Sequence, residues 1–160
     1  MRILIFSDSH NDFENMVKVI KKIQKDIDLI IHLGDHYSDA MYIKQKFGID
    51  TLAVSGNCDY APNAPESEIY ETEGKRIYIT HGHNCGVKRN TDRLLQNAKM
   101  NNADIALFGH THMPYLAQRD GLILLNPGSI SQSRHDGPPT YGILNFEGAK
   151  TEPAVVKMLL

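Results

Sequence analysis

The chain has 160 residues, a formal net charge of −2 and no long basic run. That length predicts one domain, residues 1–160, able to bury a substantial core, and the charge argues against a dedicated nucleic-acid binder. Two cysteines, Cys58 and Cys85, make no disulfide framework, and the opening MRILIFSDSH is too short for a membrane span and lacks a signal-peptide pattern, so a reduced, cytoplasmic protein is expected.

The apolar run RILIF (2–6) predicts a strand. Phe13, Met16, Val17, Ile20 and Ile23 then recur at helical spacing, with Asn11 and Glu14 as a candidate cap. A second strand, DLIIHL (28–33), leads to a short helix marked by Ala40, Ile43 and Phe47 and stopped by Gly48. The run TLAV (51–54) is a third strand, and 68–73 with 76–80 read as a hairpin around Glu73, Gly74 and Lys75. Leu94, Leu95 and Ala98 mark a third helix, after which DIALF (104–108) returns to the sheet. Four more strands are expected near 115–118, 122–126, 141–146 and 154–159. Continuous apolar strands with intervening helices imply a largely parallel buried sheet. The strand-only ending implies a second, more antiparallel sheet. The fold class is therefore α/β, two packed mixed β-sheets flanked by helices.

Five apolar runs stop on the same chemistry. LIFSDSH ends on Asp8 and His10, IIHLGDH on Asp35, LAVSGNCD on Asn57, IYITHGH on His81, and IALFGHTH on His110 and His112. Sites in open α/β sheets form outside the carboxyl ends of the strands, so these ends converge. Seven such groups make a poor core, since each unpaired buried polar group costs on the order of 1–3 kcal/mol. They make a good site for two metal ions, because imidazole and carboxylate together suit zinc and the first-row transition metals. Singly, each motif has a plain reading: Asp-x-His as surface, Gly-Asp and Asn57 as turns. It is their conjunction, in order, at five strand ends that points to a metal centre.

Together the motifs DSH (8–10), GD (34–35), GNCD (56–59), HGH (81–83) and GHTH (109–112) resemble the calcineurin-like metallophosphoesterase superfamily. With NPGS (126–129) following, the chain is most similar to its small YfcE-type phosphodiesterases. The resemblance implies the four-layer metallophosphatase fold and two divalent cations, manganese foremost, with nickel, iron, zinc or magnesium as alternatives. It assigns Asp8, His10, Asp35 and His112 to one ion and Asp35, Asn57, His81 and His110 to the other, with Asp35 bridging. It implies a phosphodiesterase in which hydroxide shared by the metals attacks phosphorus in line. Its catalytic group would be Asp35, Asn57, Cys58, Asp59 and His83, with Asp59 orienting His10 or another ligand. Cys58 and His83 would face the substrate.

Gly128, Ser129 and Arg134 are further candidates for the phosphate, the first two through backbone N–H groups after a strand, Arg134 as a clamp. His83 is equally readable as structural. His32 and His36 read as supports, His135 as a loop residue and Cys85 as packing. Cys58 stands where many superfamily members carry histidine, and a thiol is a weaker proton donor than an imidazolium. The expected partner is a phosphate-ester small molecule, with neither nucleic acid nor membrane; a homodimer is also considered. The competing reading is a non-catalytic scaffold resembling the retromer scaffold subunit.

Overall fold

The computed structural model describes residues 1–159. Ten strands form two five-stranded sheets. The first contains β1 (Arg2–Phe6), β2 (Leu29–His32), β3 (Thr51–Ala53), β9 (Thr140–Glu147) and β10 (Lys150–Lys157), in the order β10-β9-β1-β2-β3. The second contains β4 (Ser67–Thr72), β5 (Lys75–Thr80), β6 (Ile105–Leu107), β7 (Pro114–Arg119) and β8 (Leu122–Pro127), in the order β4-β5-β6-β8-β7. Each sheet holds three parallel strands, β1-β2-β3 at one side of the first and β5-β6-β8 at the centre of the second, and antiparallel strands complete the rest.

The expected division into a parallel sheet and a later antiparallel one is corrected here. DIALF pairs with β5 and β8 of the second sheet. The strand-only ending divides: β7 and β8 stay in the second sheet, while the β9–β10 hairpin returns to lie against β1. The reason is burial. Every residue of β1 from Ile3 to Phe6 is buried, so this strand needs a neighbour on each edge and a layer on each face.

Alternation within the strands builds the layers. Ile3, Ile5, Leu29 and Ile31 of the first sheet meet Ile77, Ile79, Ile105 and Leu107 of the second in the central core. The alternate residues Leu4, Phe6 and Ile30 pack outward on Met16, Val19 and Ile20 of α1 (Glu14–Ile23) and on Ile43 of α2 (Tyr37–Phe47). Tyr78, Ala106 and Phe108 pack outward on Leu94, Leu95 and Ala98 of α3 (Asp92–Met100). The result is four layers, helix–sheet–sheet–helix, and each fully buried Ile or Leu contributes roughly 1.5–3 kcal/mol.

Helix ends show where local signals suffice. Gly48, at φ 66°, donates its N–H to Lys44 O at 3.0 Å and ends α2, as its position predicts. The Asn11–Glu14 cap does not form: Phe13 is the N-cap residue without a side-chain bond, and the Asn11 N–H donates instead to Asp39 Oδ2 at 3.0 Å. Among the described residues, no helix is long and apolar enough to cross a membrane.

Candidate metal centre

Four parallel strands, β1 and β2 in one sheet and β5 and β6 in the other, end at the same rim of the sandwich. There the chain brings together two groups of metal-ligand side chains. Asp8, His10, Asp35 and His112 form one, Asp35, His81 and His110 the other, and within each the ligand atoms lie within 4.8 Å of one another. Asp35 is common to both.

The loops reach this arrangement by left-handed backbone. Asp8 (φ 54°), His10 (46°), Asp35 (56°), His110 (67°) and His112 (59°) all have positive φ. Asp and His tolerate this region better than most side chains, yet each instance costs about 1–2 kcal/mol. The packed layers beneath offset that cost. Two glycines permit close approach. A Cβ on Gly56 would overlap the Asp35 carboxylate, and one on Gly109 would overlap Ser7 Oγ across the two sheets.

Hydrogen bonds fix the ligand orientations. The His112 Nδ1–H donates to Gln132 O at 2.8 Å and the His81 Nδ1–H to Leu33 O at 2.6 Å. Both rings therefore turn Nε2 inward. His112 Nε2 faces Asp8 Oδ1 at 3.1 Å and His10 Nε2 at 3.1 Å, and His81 Nε2 faces Asp35 Oδ1 at 3.4 Å. Asp8 Oδ1 and His81 Nε2 are buried without a well-aligned hydrogen-bond partner. Lone pairs converging at such distances repel unless a proton or a cation lies between them. The donor set therefore fits divalent metal ions.

The electrostatics agree. Burial opposes the charge on Asp8 and Asp35, but His112 with His81 around Asp8, and His81 with the Cys58 N–H at Asp35, outweigh it and hold both carboxyls below the usual range. Burial also opposes a proton on His81, yet Asp35 and Asp8 raise its pKa, so a proton can occupy that gap in the metal-free chain. His110 falls to about 4 through burial and then the neighbouring His81 and Lys88. Burial lowers His10 as well, against the pull of Asp35 and Asp8. Neutral imidazole is the form that ligates metal.

The remaining candidates surround this cluster in different ways. Asn57 is exposed, and its Nδ2 donates to Cys58 Sγ at 3.4 Å. Cys58 is exposed beside the centre, its N–H donating to Asp35 Oδ1 at 3.0 Å. Burial and the adjacent Asp35 raise the thiol pKa, keeping it protonated. Asp59 does not approach His10. Its carboxylate accepts the N–H groups of Asp35, His36, Tyr37 and Gly56 at 2.7–3.1 Å, tying the Asp35 loop to the start of α2.

Gly128 and Ser129 do not present N–H groups outward; both are buried. The Gly128 N–H donates to Asn126 Oδ1, and Ser129 Oγ donates to Asp8 O at 2.8 Å while accepting from Gln132 N. They brace the ligand loops from inside. His83 lies beside the second group, its ring centroid 5.4 Å from that of His81. Arg134 is exposed on the loop whose N–H donates to His112 O at 3.3 Å.

Two bracing residues, Asn126 and Ser9, escape sequence reasoning, and Ser9 acts together with His32. Asn126 Nδ2 donates to Gly109 O and Thr111 Oγ1, holding the GHTH loop. Ser9 Oγ donates to Asp39 Oδ2 at 2.7 Å and accepts from His32, whose other nitrogen accepts the Gly34 N–H. Burial takes His32 down to about 4, so it stays neutral in that chain. Ser and Asn after a strand carry a turn signal only; nothing local announces a brace.

Two facing mixed sheets with a carboxylate shared between histidine groups define a metallophosphatase-type fold and site. Residues 1–149 match the model of the calcineurin-like phosphoesterase superfamily domain, and the chain belongs to that family. Bacillus subtilis YsnB, named a probable metallophosphoesterase, is 31% identical over 147 residues, covering 92% of this chain and 85% of its own. Escherichia coli phosphodiesterase YfcE is 35% identical over 103 residues, covering 59% of this chain and 52% of its own. Among solved structures, a predicted phosphoesterase from Streptococcus pneumoniae superposes with a TM-score of 0.84 at 28% identity, over 98% of this chain and 88% of that one. A Vps29 variant from Entamoeba histolytica superposes with a TM-score of 0.80 at 20% identity, over 98% of this chain and all of that one, a likeness of fold alone.

Proposed function

We propose that this protein is a cytoplasmic phosphodiesterase that works with two divalent cations. The observation that carries the reading is the convergence of ligand atoms: Nε2 of His112 held 3.1 Å from both Asp8 Oδ1 and His10 Nε2 by a ring whose other nitrogen is already committed, with Asp8 Oδ1 and His81 Nε2 buried without a hydrogen-bond partner. Asp8, His10, Asp35 and His112 would hold one cation, and Asp35, Asn57, His81 and His110 the other. When bound, the cations supply Lewis acidity and hydroxide near neutral pH for in-line attack on phosphorus.

The chain's own groups do the rest. Asp35, Leu33 O and Gln132 O fix the ligand rings, so little reorganisation accompanies substrate binding. His83, lowered by burial and by His81, stands neutral beside the second group, where it can donate a hydrogen bond to a phosphoryl oxygen. The protonated thiol of Cys58 faces solvent next to Asp35 and is a weak donor toward the leaving group. A phenoxide leaves without strong proton donation, so aryl diesters suit this site better than alkyl monoesters.

The likeness to Vps29 extends to the fold, whereas the name of YfcE favours a diesterase. A pure scaffold would have no use for buried ligand atoms that lack partners. The test is hydrolysis of bis(p-nitrophenyl) phosphate by protein loaded with manganese, nickel, iron, zinc or magnesium. Metal-dependent turnover, abolished by chelation, is the expected result; inactivity with two bound cations per chain would return the scaffold reading.

A further inference from the structure

Beside the GHTH loop opens a cavity of about 610 Å³, bounded by the 87–91 segment, the start of β7 and the Arg134 loop. It adjoins the metal centre through Thr111, which lies between His110 and His112, and through Arg134, whose backbone is bonded to His112 O. Lys88 on its wall is close enough for its charge to act on His110.

The lining is lopsided. Four of its residues are cationic and none is acidic, in a chain whose net charge is −2. Arg119 is occupied, donating to Thr91 Oγ1 at 2.7 Å and pairing with Asp92 at 3.0 Å, and so fixes the 87–91 segment against β7. Lys88, Arg89 and Arg134 are exposed, and no carboxylate is paired with any of them among the described residues. Opposite them is an apolar wall. Phe108 underlies Tyr115 edge-on at 5.9 Å, and Tyr115 and Met113 remain 38% and 51% exposed. The volume is that of a small-molecule site and far exceeds a single phosphate.

We infer that this cavity receives one arm of the substrate, a nucleotide unit whose base stacks on Tyr115 and Met113 and whose own phosphate is held by Lys88, Arg89 and Arg134. The substrate class is then a phosphodiester joining a phosphorylated nucleoside to a second group, as in a short dinucleotide with a terminal phosphate. An aromatic face supplies sequence-tolerant stacking, and unpaired guanidinium groups supply charge-assisted bonds to phosphate. This assignment rests on the phosphodiesterase reading for the chemistry, but not for the binding.

The experiment has two arms. In manganese-loaded protein, kcat/KM is measured for pApA and for ApA, which lacks the terminal phosphate, in wild type and in the double variant Lys88→Ala/Arg89→Ala. The phosphorylated dinucleotide should be favoured about tenfold or more, roughly the worth of one good charged contact, and the double variant should bring the ratio near one. In metal-free protein, adenosine 3′,5′-bisphosphate is titrated by calorimetry against inorganic phosphate. The bisphosphate should bind more tightly than phosphate, and the double variant should weaken it. Equal kcat/KM for the two dinucleotides, a ratio or bisphosphate affinity untouched by the double variant, or phosphate binding as tightly as the bisphosphate would each overturn the assignment. If neither dinucleotide is cleaved while the bisphosphate binds in a Lys88- and Arg89-dependent way, the hydrolytic reading fails and the cavity assignment stands.

Discussion

The two ligand groups share Asp35 and differ in almost everything else. Asp8, Asp35 and His112 are nearly inaccessible, and only His10 of the first group is part-exposed. In the second, His81 is buried, His110 is part-exposed and the neighbouring Asn57 is exposed. The first group also brings two carboxylates to its cation, the second one. A closed, more anionic set should bind more tightly and exchange more slowly than an open one. On the proposed two-cation reading, the first group would be the tighter site and the second the more accessible one.

The strongest way to break this contrast is to remove what the groups share. Asp35→Ala should abolish binding of both cations by equilibrium dialysis and lower diesterase activity by on the order of 10³ or more. Two tightly bound ions in that variant would refute the bridging role. The contrast is sharpened by cutting one group at a time. His110→Ala should leave one tightly bound cation per chain and cost about 10²–10³ in kcat, whereas His112→Ala should weaken the tighter of the two. Equal losses of affinity in both variants would make the sites equivalent.

A third test concerns the brace beneath the first group. His32 stays neutral down to about pH 4 in the folded protein, whereas an unfolded histidine takes up its proton near pH 6.5. Between those values the unfolded chain binds more protons, so stability falls as pH falls, by up to roughly 3 kcal/mol in total. Asp8 and Asp35, held low, contribute loss only below the ordinary carboxylate range, and His81, raised, acts in the opposite sense to His32. Urea unfolding of metal-free protein from pH 7 to 4 should show the decline, and His32→Asn should flatten it.

The smallest effect is expected at Cys58. Its backbone N–H, which holds Asp35, survives any side-chain change. Cys58→Ala should cost tenfold or less on an aryl diester, below the ~10²–10⁴ of a true acid–base group, and Cys58→His should raise turnover of monoesters. Loss of all diesterase activity with both cations retained would make the thiol essential.

What the sequence could disclose follows from range. Asp8, His10, Asp35, His81, His110 and His112 are legible because each lies within a few residues of the end of an apolar run, and parallel strands carry such positions to one rim. The start of α2 at Tyr37 was not legible, because its cap is the carboxylate of Asp59, which closes the turn from another loop. Ser129 looked like a phosphate cradle because Asn-Pro-Gly-Ser is turn chemistry, and only packing decides whether such a turn faces in or out. The partition of the last four strands was hidden for the same reason: which edge a hairpin joins depends on what the rest of the molecule leaves open.

One consequence of that partition concerns the order in which the molecule can assemble. β1 is the middle strand of its sheet, paired on one side with β2 and on the other with β9, Arg2 standing opposite Asn145. A strand is therefore completed by one that lies 143 residues further along the chain, from Arg2 to Asn145. Until β9 pairs with it, the DSH loop hangs from a strand with one edge of unpaired backbone N–H and C=O groups, and closing that gap carries the loop-entropy cost of a long-range contact. The Asp8 loop is therefore held in place only once strands far apart in the sequence have met.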